Sequence, residues 1–145
     1  MSENKNTLDW ARPKFQVRDL SESLRYYCDK LGFTIRWVFG GAEHNSTPAG
    51  DLKIPDAPMI AEVERNGIEI ILDQNSSQPA AAVPSVICVE LHDYDTLDLL
   101  HEKMCASNAK VTTAPFKVDW AEDTMQMEIE DLDGNIIVFW GNIKQ

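Results

Sequence analysis

The histidines and cysteines, the side chains best suited to catalysis and metal binding, share no spacing that makes a site. The histidines are His44, His92 and His101. The cysteines are Cys28, Cys88 and Cys105. They are widely separated and form no C-x-x-C, which argues against a disulfide framework and a Cys-rich zinc site. No histidine is placed to convert Cys88 to a thiolate, so we predict a small buried apolar residue there. We expect surface positions for the three histidines.

Composition excludes several classes of function. The chain has 145 residues, with 24 acidic and 13 basic side chains and a formal charge of −11. This acidity argues against nucleic-acid binding, which needs a basic face, and against binding to anionic membranes. No apolar run approaches the length of a membrane span. The polar start MSENKNT has no signal-peptide core, so we expect a cytoplasmic protein.

Hydrophobic patterning in the first half predicts a strand, a helix, a strand and a hairpin. Alternation predicts the first strand over 11–17, and a single apolar stripe predicts a helix that Asp19 or Ser21 caps and Gly32 ends. A second strand follows over 33–39, and a long loop without strong internal structure over 40–58. Asn66-Gly67 then suits the type I′ turn of a hairpin with strands over 60–64 and 68–72.

The second half repeats this order. A strand is predicted over 85–92, and a helix follows with Asp95 as its cap and Asn108 as its end. Leu97, Leu100, Met104 and Cys105 form the predicted stripe of this helix. A short strand over 110–113, a loop over 115–123 and a hairpin of 125–130 with 135–140 complete the pattern. The repeat of element order indicates an internal duplication.

Two segments carry a family resemblance. The first reads V-R-D-L at 17–20, S-L at 23–24, Y-Y at 26–27 and L-G-F at 31–33. The second reads D-L-D-G-N at 131–135 and I-I-V-F-W at 136–140. Their order and spacing over about 11–141 resemble the vicinal oxygen chelate superfamily, which includes glyoxalase I, bleomycin resistance proteins and extradiol dioxygenases.

The resemblance implies an α+β fold of two βαβββ modules that form a cupped mixed sheet with helices packed outside. We expect a loose tail over 1–10 and one domain over 11–145. Module 1 spans about 11–75, a linker 76–84, and module 2 about 85–141.

The resemblance also bears on metal binding, because metal-dependent members hold a divalent cation with His and Glu side chains on the cupped strands. Three of the four ligand positions fall on Arg12, Val86 and Val138. The fourth falls on Glu69 or, in the register that the internal repeat favours, on Ile71. Valine has no lone pair and arginine is a fixed cation. We therefore predict no metal bound by the family mechanism, and no cofactor.

Strand parity separates the core face from the face that would line the cup. The predicted core residues are Phe15, Val17, Ile68, Ile70, Leu72, Ile87, Val89, Leu91, Ile137 and Phe139. The predicted ligand-binding residues are Arg12, Gln16, Trp37, Phe39, Glu69, Ile71, Cys88, Glu90, Trp120, Val138 and Trp140. Lys14, Asp73 and Val86 share their face. This apolar wall with a few polar groups is typical of a small-molecule site, and no catalytic residue is predicted.

Within this set, Glu69 and Glu90 would recognise a ligand's cation or amide, unless Arg12 or Lys14 pairs with one of them. Core or dimer packing explains Trp37 and Trp140 as well as ligand contact does. Trp120 is predicted to lie in a loop with charged neighbours, and this position favours contact with a ligand or at an interface.

Three functions remain open. The first is a metal-free homodimer of the bleomycin-resistance type, which sequesters an aromatic compound that can also be cationic. The second is a metal-dependent lyase, isomerase or dioxygenase with ligands at unaligned positions such as Glu69, Glu90, Glu128 and His92. The third is a structural or regulatory dimer with a filled cup. The expected partners are a small molecule and a second copy.

Overall fold

Two mixed sheets and two helices make up the computed structural model, which describes residues 7–40, 43–45, 57–74 and 83–143. The first half contains β1 (Lys14–Gln16), α1 (Leu20–Asp29), β2 (Thr34–Gly40), β3 (Glu43–Asn45), β4 (Pro58–Arg65) and β5 (Ile68–Asp73). The second half contains β6 (Val86–Glu90), α2 (Asp98–Ala106), β7 (Lys110–Lys117), β8 (Thr124–Glu130) and β9 (Ile136–Asn142).

The two sheets have matching topology. The first has the order β1-β5-β4-β2-β3 and the second β6-β9-β8-β7. In each, the first strand pairs in parallel with the last strand of its module, and the remaining pairs are antiparallel. The predicted α+β fold of two βαβββ modules is therefore confirmed. The added strand β3 lies within the segment predicted to be an unstructured loop, most of which falls outside the described residues.

Local signals in the first module formed as predicted. Asp19 caps α1, and its side chain accepts a hydrogen bond from the backbone N–H of Glu22 at 3.1 Å. Gly32, with φ of 76°, turns the chain after the helix. Asn66 and Gly67 both have positive φ, 52° and 85°, as the type I′ turn of the β4–β5 hairpin requires.

The second helix begins later than predicted, so Asp95 is not its cap. α2 begins at Asp98, after a short 3₁₀ turn over His92–Tyr94. The Asp95 carboxylate accepts instead from the adjacent backbone N–H of Thr96 at 2.8 Å. Cys105 is exposed and does not belong to the apolar stripe. β7 runs to Lys117, so the loop predicted from residue 115 begins three residues later.

The faces of both sheets that were predicted to be buried share one hydrophobic core. All ten predicted core residues belong to it or pack against it. α1 joins the modules, because Tyr27 Oη donates to Asp131 Oδ2 at 2.9 Å and Tyr26 Oη donates to the Glu130 carbonyl at 2.6 Å. Among the described residues, no helix is long and apolar enough to cross a membrane.

Candidate functional site

The strand register defines a second face on each sheet, which points away from the shared core. In module 1, Ile71 lies between Lys14 and Glu62 on neighbouring strands, and we call this side face 1. In module 2, Val138 lies between Cys88 and Glu128, and we call this side face 2. Ile71 and Val138 each lie four residues after a turn glycine, so the two faces correspond position by position.

Face 1 is built around a buried carboxylate. Glu62 is fully buried, and its Oε1 accepts from Arg12 Nη1 at 2.6 Å. Arg36 Nη1 lies 3.6 Å from Glu62 Oε2 and also pairs with Glu69. A buried carboxylate needs such partners, since desolvation of an unpaired charge is costly. Of the alternatives left open by the sequence, pairing of Glu69 with Arg12 or Lys14 is not what the structure has, because Arg12 binds Glu62, Lys14 lies beside Asp73 and Arg36 pairs with Glu69.

Aromatic side chains complete face 1. The Trp10 ring lies over both guanidinium groups, with its centroid 5.1 Å from Arg12 Cζ and 5.8 Å from Arg36 Cζ. Trp37 and Phe39 are 5.4 Å apart between ring centroids and pair with the face 1 strand β4. The segment expected to be a loose tail therefore contributes Trp10 to this face.

Two polar residues of β1 lie on the same face. Gln16 pairs in register with Asp73, and its Oε1 is buried without a hydrogen-bond partner among the described residues. Lys14 Nζ lies 3.3 Å from Asp73 Oδ2. Face 1 thus combines a charge network with a small aromatic cluster.

Face 2 carries an aromatic shelf whose inner ring is fixed. Trp140 Nε1 donates to Gln126 Oε1 at 2.7 Å, and Gln126 Nε2 donates to Glu128 Oε2 at 3.0 Å. Trp120 packs edge-on against Trp140, with centroids 5.6 Å apart, and is 63% exposed. Phe116 pairs with Gln126 on the same face and is 40% exposed. We use the term aromatic shelf for Trp140, Trp120 and Phe116.

The edge strand β6 adds an exposed apolar and acidic border to face 2. Val86 is 56% exposed, and Cys88 and Glu90 are also exposed. The prediction of a buried Cys88 was wrong, because β6 forms one edge of its sheet and Cys88 points away from the core. Val138, on the neighbouring strand, is buried.

The predicted site residues fall into two groups rather than one. Face 1 carries Arg12, Gln16, Trp37, Phe39, Glu69 and Ile71. Face 2 carries Cys88, Glu90, Trp120, Val138 and Trp140. The other sides of both sheets fill the shared core, so each group lines a separate face of the chain.

The sequence interpretation missed three residues of face 1: Trp10, Arg36 and Glu62. Alternation over 60–64 places Glu62 on the same side as Ile71, so parity was a usable signal for its face. Its complete burial depends on side chains distant in sequence, which no local pattern records.

The histidines contribute no cluster. His92 is exposed in the 3₁₀ turn, and its Nε2 lies 3.3 Å from Asp93 Oδ2. His101 lies on α2 and His44 on β3. Within the described parts of the chain, no three His, Cys, Asp or Glu side chains are grouped to hold a metal ion.

The D-L-D-G-N segment is a structural junction. Asp131 is buried, and its carboxylate accepts from the backbone N–H groups of Asp133 and Asn135, from Asn135 Nδ2 and from Tyr27 Oη, all at 2.8–2.9 Å. Burial raises the pKa of Asp131, while the hydrogen bonds from Asn135, Asp133 and Tyr27 act in the opposite direction. Asn135 Nδ2 also donates to the Gln16 carbonyl at 3.1 Å. The segment thereby fixes module 2 to module 1.

Comparison with known proteins identifies the family. The family model described as the Glyoxalase/Bleomycin resistance protein/Dioxygenase superfamily matches residues 7–139. The chain belongs to this superfamily. No curated protein matches it significantly.

Several solved structures have the same fold. TioX from Micromonospora sp. ML1 is 12% identical, with a TM-score of 0.64, over 92% of this chain and 100% of that one. A glyoxalase-related enzyme from Clostridium phytofermentans is 13% identical, with a TM-score of 0.67, over 97% and 100%. The bleomycin resistance determinant encoded on the transposon Tn5 is 20% identical, with a TM-score of 0.63, over 93% and 98%. At these identities the likeness shows the fold.

The four positions that correspond to chelating residues in metal-dependent superfamily members do not fit a divalent ion here. The register places Ile71, not Glu69, at the position equivalent to Val138. Val86 has no donor atom, and Arg12 is a cation already bound to a carboxylate. Divalent ions need several N or O donors that converge on one point. These four side chains supply none.

Proposed function

We propose that this protein is a metal-free, homodimeric small-molecule-binding protein that sequesters an aromatic, cation-bearing compound without changing it chemically. The observation that carries the proposal is the aromatic shelf of face 2. Trp120 is exposed, whereas Trp140 behind it is held by a hydrogen bond to Gln126. A fixed inner ring with an exposed outer ring packed against it offers a planar ligand a stacking surface.

The charge around the shelf supports a cationic ligand. Glu128 lies on face 2 and is linked to Trp140 through Gln126, and Glu90 pairs in register with Trp140. Both carboxylates stand on the same side of the sheet as the shelf. Cations also bind favourably over aromatic faces. The formal charge of −11 adds a weaker, long-range attraction.

The arrangement of the faces supports a dimer. Face 1 and face 2 of one chain point away from the shared core, so a cup between them needs a second copy. Val86 and Phe116 are large exposed apolar residues on face 2, and β6 and β7 are the two edges of its sheet. Exposed apolar surface and sheet edges are commonly covered by a partner. In the dimer, face 1 of one copy would cover face 2 of the other.

Ligand titration with matched variants tests the stacking site. Bleomycin and the planar cation proflavine serve as probes, with binding measured by isothermal titration calorimetry and thermal shift. We expect Trp120→Ala to weaken binding more than tenfold and Trp120→Phe to retain most of it. Leu99→Ala, at a similarly exposed residue on α2, is the control and should change nothing. Unchanged affinity in Trp120→Ala would contradict stacking at this residue.

Two further measurements test the metal-free dimer. Light scattering after size exclusion should give twice the chain mass of 16.4 kDa. Elemental analysis of protein purified without a metal-scavenging tag should give no stoichiometric Ni, Zn, Fe or Mn. A stoichiometric metal would refute the proposal in favour of a lyase, isomerase or dioxygenase of the superfamily. A monomer without any ligand-induced thermal shift would refute it as well.

A further inference from the structure

A cleft of about 340 Å³ lies between the modules, on the core side of the β6-β9-β8-β7 sheet and so behind face 2. Its walls are apolar side chains of both modules: Ile68, Val89, Leu91, Leu100, Ile137 and Phe139. This volume is at the lower end of the range for small-molecule sites, which are typically apolar with a few polar groups and often lie between domains. The cleft is distinct from both faces of the proposed function.

The modules do not close over this cleft. Four of its wall residues, Ile68, Val89, Leu91 and Leu100, are only partly buried, although they pack against the fully buried core. Partly exposed aliphatic side chains around one concave space leave apolar surface in water, and a ligand that covered it would gain the corresponding free energy.

Arg65 supplies the cleft with a positioned cation. Its Nη1 donates to the Leu31 carbonyl at 2.6 Å, and its guanidinium lies against Gly32, where a Cβ would approach Nη1 to 3.2 Å. Within the described ranges, Arg65 forms no ion pair with a carboxylate. A guanidinium has five N–H donors, so most of its donors are left for another acceptor.

Two other ionisable residues, Glu90 and His92, border the cleft. Glu90 pairs with Trp140 in register, so its side chain is on face 2 and its backbone borders the cleft. His92 is exposed and lies beside Asp93. Arg65 is therefore the group whose charge an occupant of the cleft would meet.

We propose that this cleft binds a small monocarboxylic acid, with an apolar body of about ten carbons against the aliphatic walls and its carboxylate on Arg65. An arginine and a carboxylate form charge-assisted, often bidentate hydrogen bonds. The acidic surface of the chain as a whole disfavours anions, so Arg65 gives the cleft its selectivity. This ligand class differs from the aromatic cation of the proposed function in charge and in place.

Methyl NMR of the full chain tests the proposal with decanoate as the probe. Decanoate should shift the methyl signals of Ile68, Val89, Leu100 and Ile137, and should leave those of Ile71, Val86 and Val138 on the two faces unchanged. Arg65→Met should weaken binding at least tenfold, because it removes a charged hydrogen bond. Arg25→Met, at an exposed arginine on α1, is the matched control.

An uncharged ligand, decanol, and a variant whose cleft is filled complete the test. Decanol should bind at least tenfold more weakly than decanoate, and Leu100→Trp should abolish binding of both because the larger side chain occupies the cleft. Shifts confined to the methyls of the two faces, no shifts at all, or unchanged affinity in Arg65→Met would each overturn the proposal. The bleomycin titration reports on face 2 separately, so failure of either proposal is distinguishable from failure of the other.

Discussion

Replacing Tyr27 by Phe removes one hydroxyl from the junction between the modules and should destabilise the fold measurably. Tyr27 and Asp131 are both buried, and the hydrogen bond between Tyr27 Oη and Asp131 Oδ2 is 2.9 Å long. Phe fills the same space, so the change isolates the hydrogen bond from packing. The experiment therefore measures what the junction contributes through this single contact.

The size of the effect follows from the charge of the acceptor. A hydrogen bond to a charged group contributes about 1.5–3 kcal/mol. Asp131 Oδ2 keeps its second donor, Asn135 Nδ2 at 2.9 Å, so we expect about 2 kcal/mol at neutral pH. For a chain of this length that corresponds to a decrease in Tm of roughly 6 °C.

The pH dependence tests whether Asp131 is the partner. Burial raises the pKa of Asp131 above its ordinary value of 3.8, and the Tyr27 hydrogen bond acts against that rise. A carboxyl group with a raised folded-state pKa contributes stability that is present below its unfolded pKa and is lost as pH rises through the folded pKa. Tyr27→Phe removes this hydrogen bond and so raises the pKa of Asp131 further. The free energy of unfolding of the variant should therefore fall more than that of the parent protein as pH rises. The difference in free energy of unfolding between the two proteins should grow from about 1 kcal/mol in acid, where the carboxyl group is neutral, to about 2 kcal/mol at pH 7.

Urea unfolding of both proteins between pH 3.5 and 7 measures this difference. Tyr26→Phe is the control, because its hydroxyl contacts only neutral backbone groups of Glu130 and Lys110. It should cost about 1 kcal/mol with little change over the same pH range. A Tyr27→Phe effect that stays constant or grows in acid would show that Asp131 does not carry the contact.

Two further substitutions test the face 1 network and a close backbone contact, both by urea or thermal unfolding. Arg12→Met leaves buried Glu62 without its nearest cation and should cost about 2 kcal/mol. Lys14 is itself more than half exposed and lies 3.3 Å from Asp73, so Lys14→Met should cost less than about 1 kcal/mol; equal costs would contradict the role of the cation's burial. Gly141→Ala would place a Cβ 2.3 Å from the Asp95 carbonyl oxygen, so we expect about 3 kcal/mol of destabilisation, and a variant of native stability would contradict this packing.

The fold was predictable because its main signals are local or periodic. The cap at Asp19 and the Asn66-Gly67 turn each act through a few neighbouring residues, and strand alternation assigned every predicted core residue to the correct side. The start of α2 was not predictable in this way. Asp95 has the residue type of a cap, but a 3₁₀ turn precedes the helix and the helix begins two residues later than predicted.

For the candidate site, the sequence predicted which face of a sheet each residue occupies, but not which side chains pair with one another. Parity placed Glu69 and Ile71 on face 1, but the partner of Glu69 is Arg36 on a different strand. The partners of buried Glu62 are Arg12 and Arg36, which are distant in sequence. Such pairings depend on strand order and side-chain reach, which a single sequence does not encode locally.

The two signature segments and the two faces therefore have different roles in this chain: the signatures hold the modules together, and the faces carry the candidate binding residues. The signatures meet at the module junction, where Arg18 Nε donates to Asp133 Oδ1 at 2.8 Å and Asn135 donates to the Gln16 carbonyl. These contacts fix how the modules pack, and they do not involve the aromatic shelf of face 2. Because the junction does not depend on what the faces carry, a chain can lose the chelating side chains and keep the fold. Variants of exposed face residues such as Trp120 should accordingly change binding without loss of stability, whereas variants of the signature residues or of the buried Arg12–Glu62 pair should destabilise the fold.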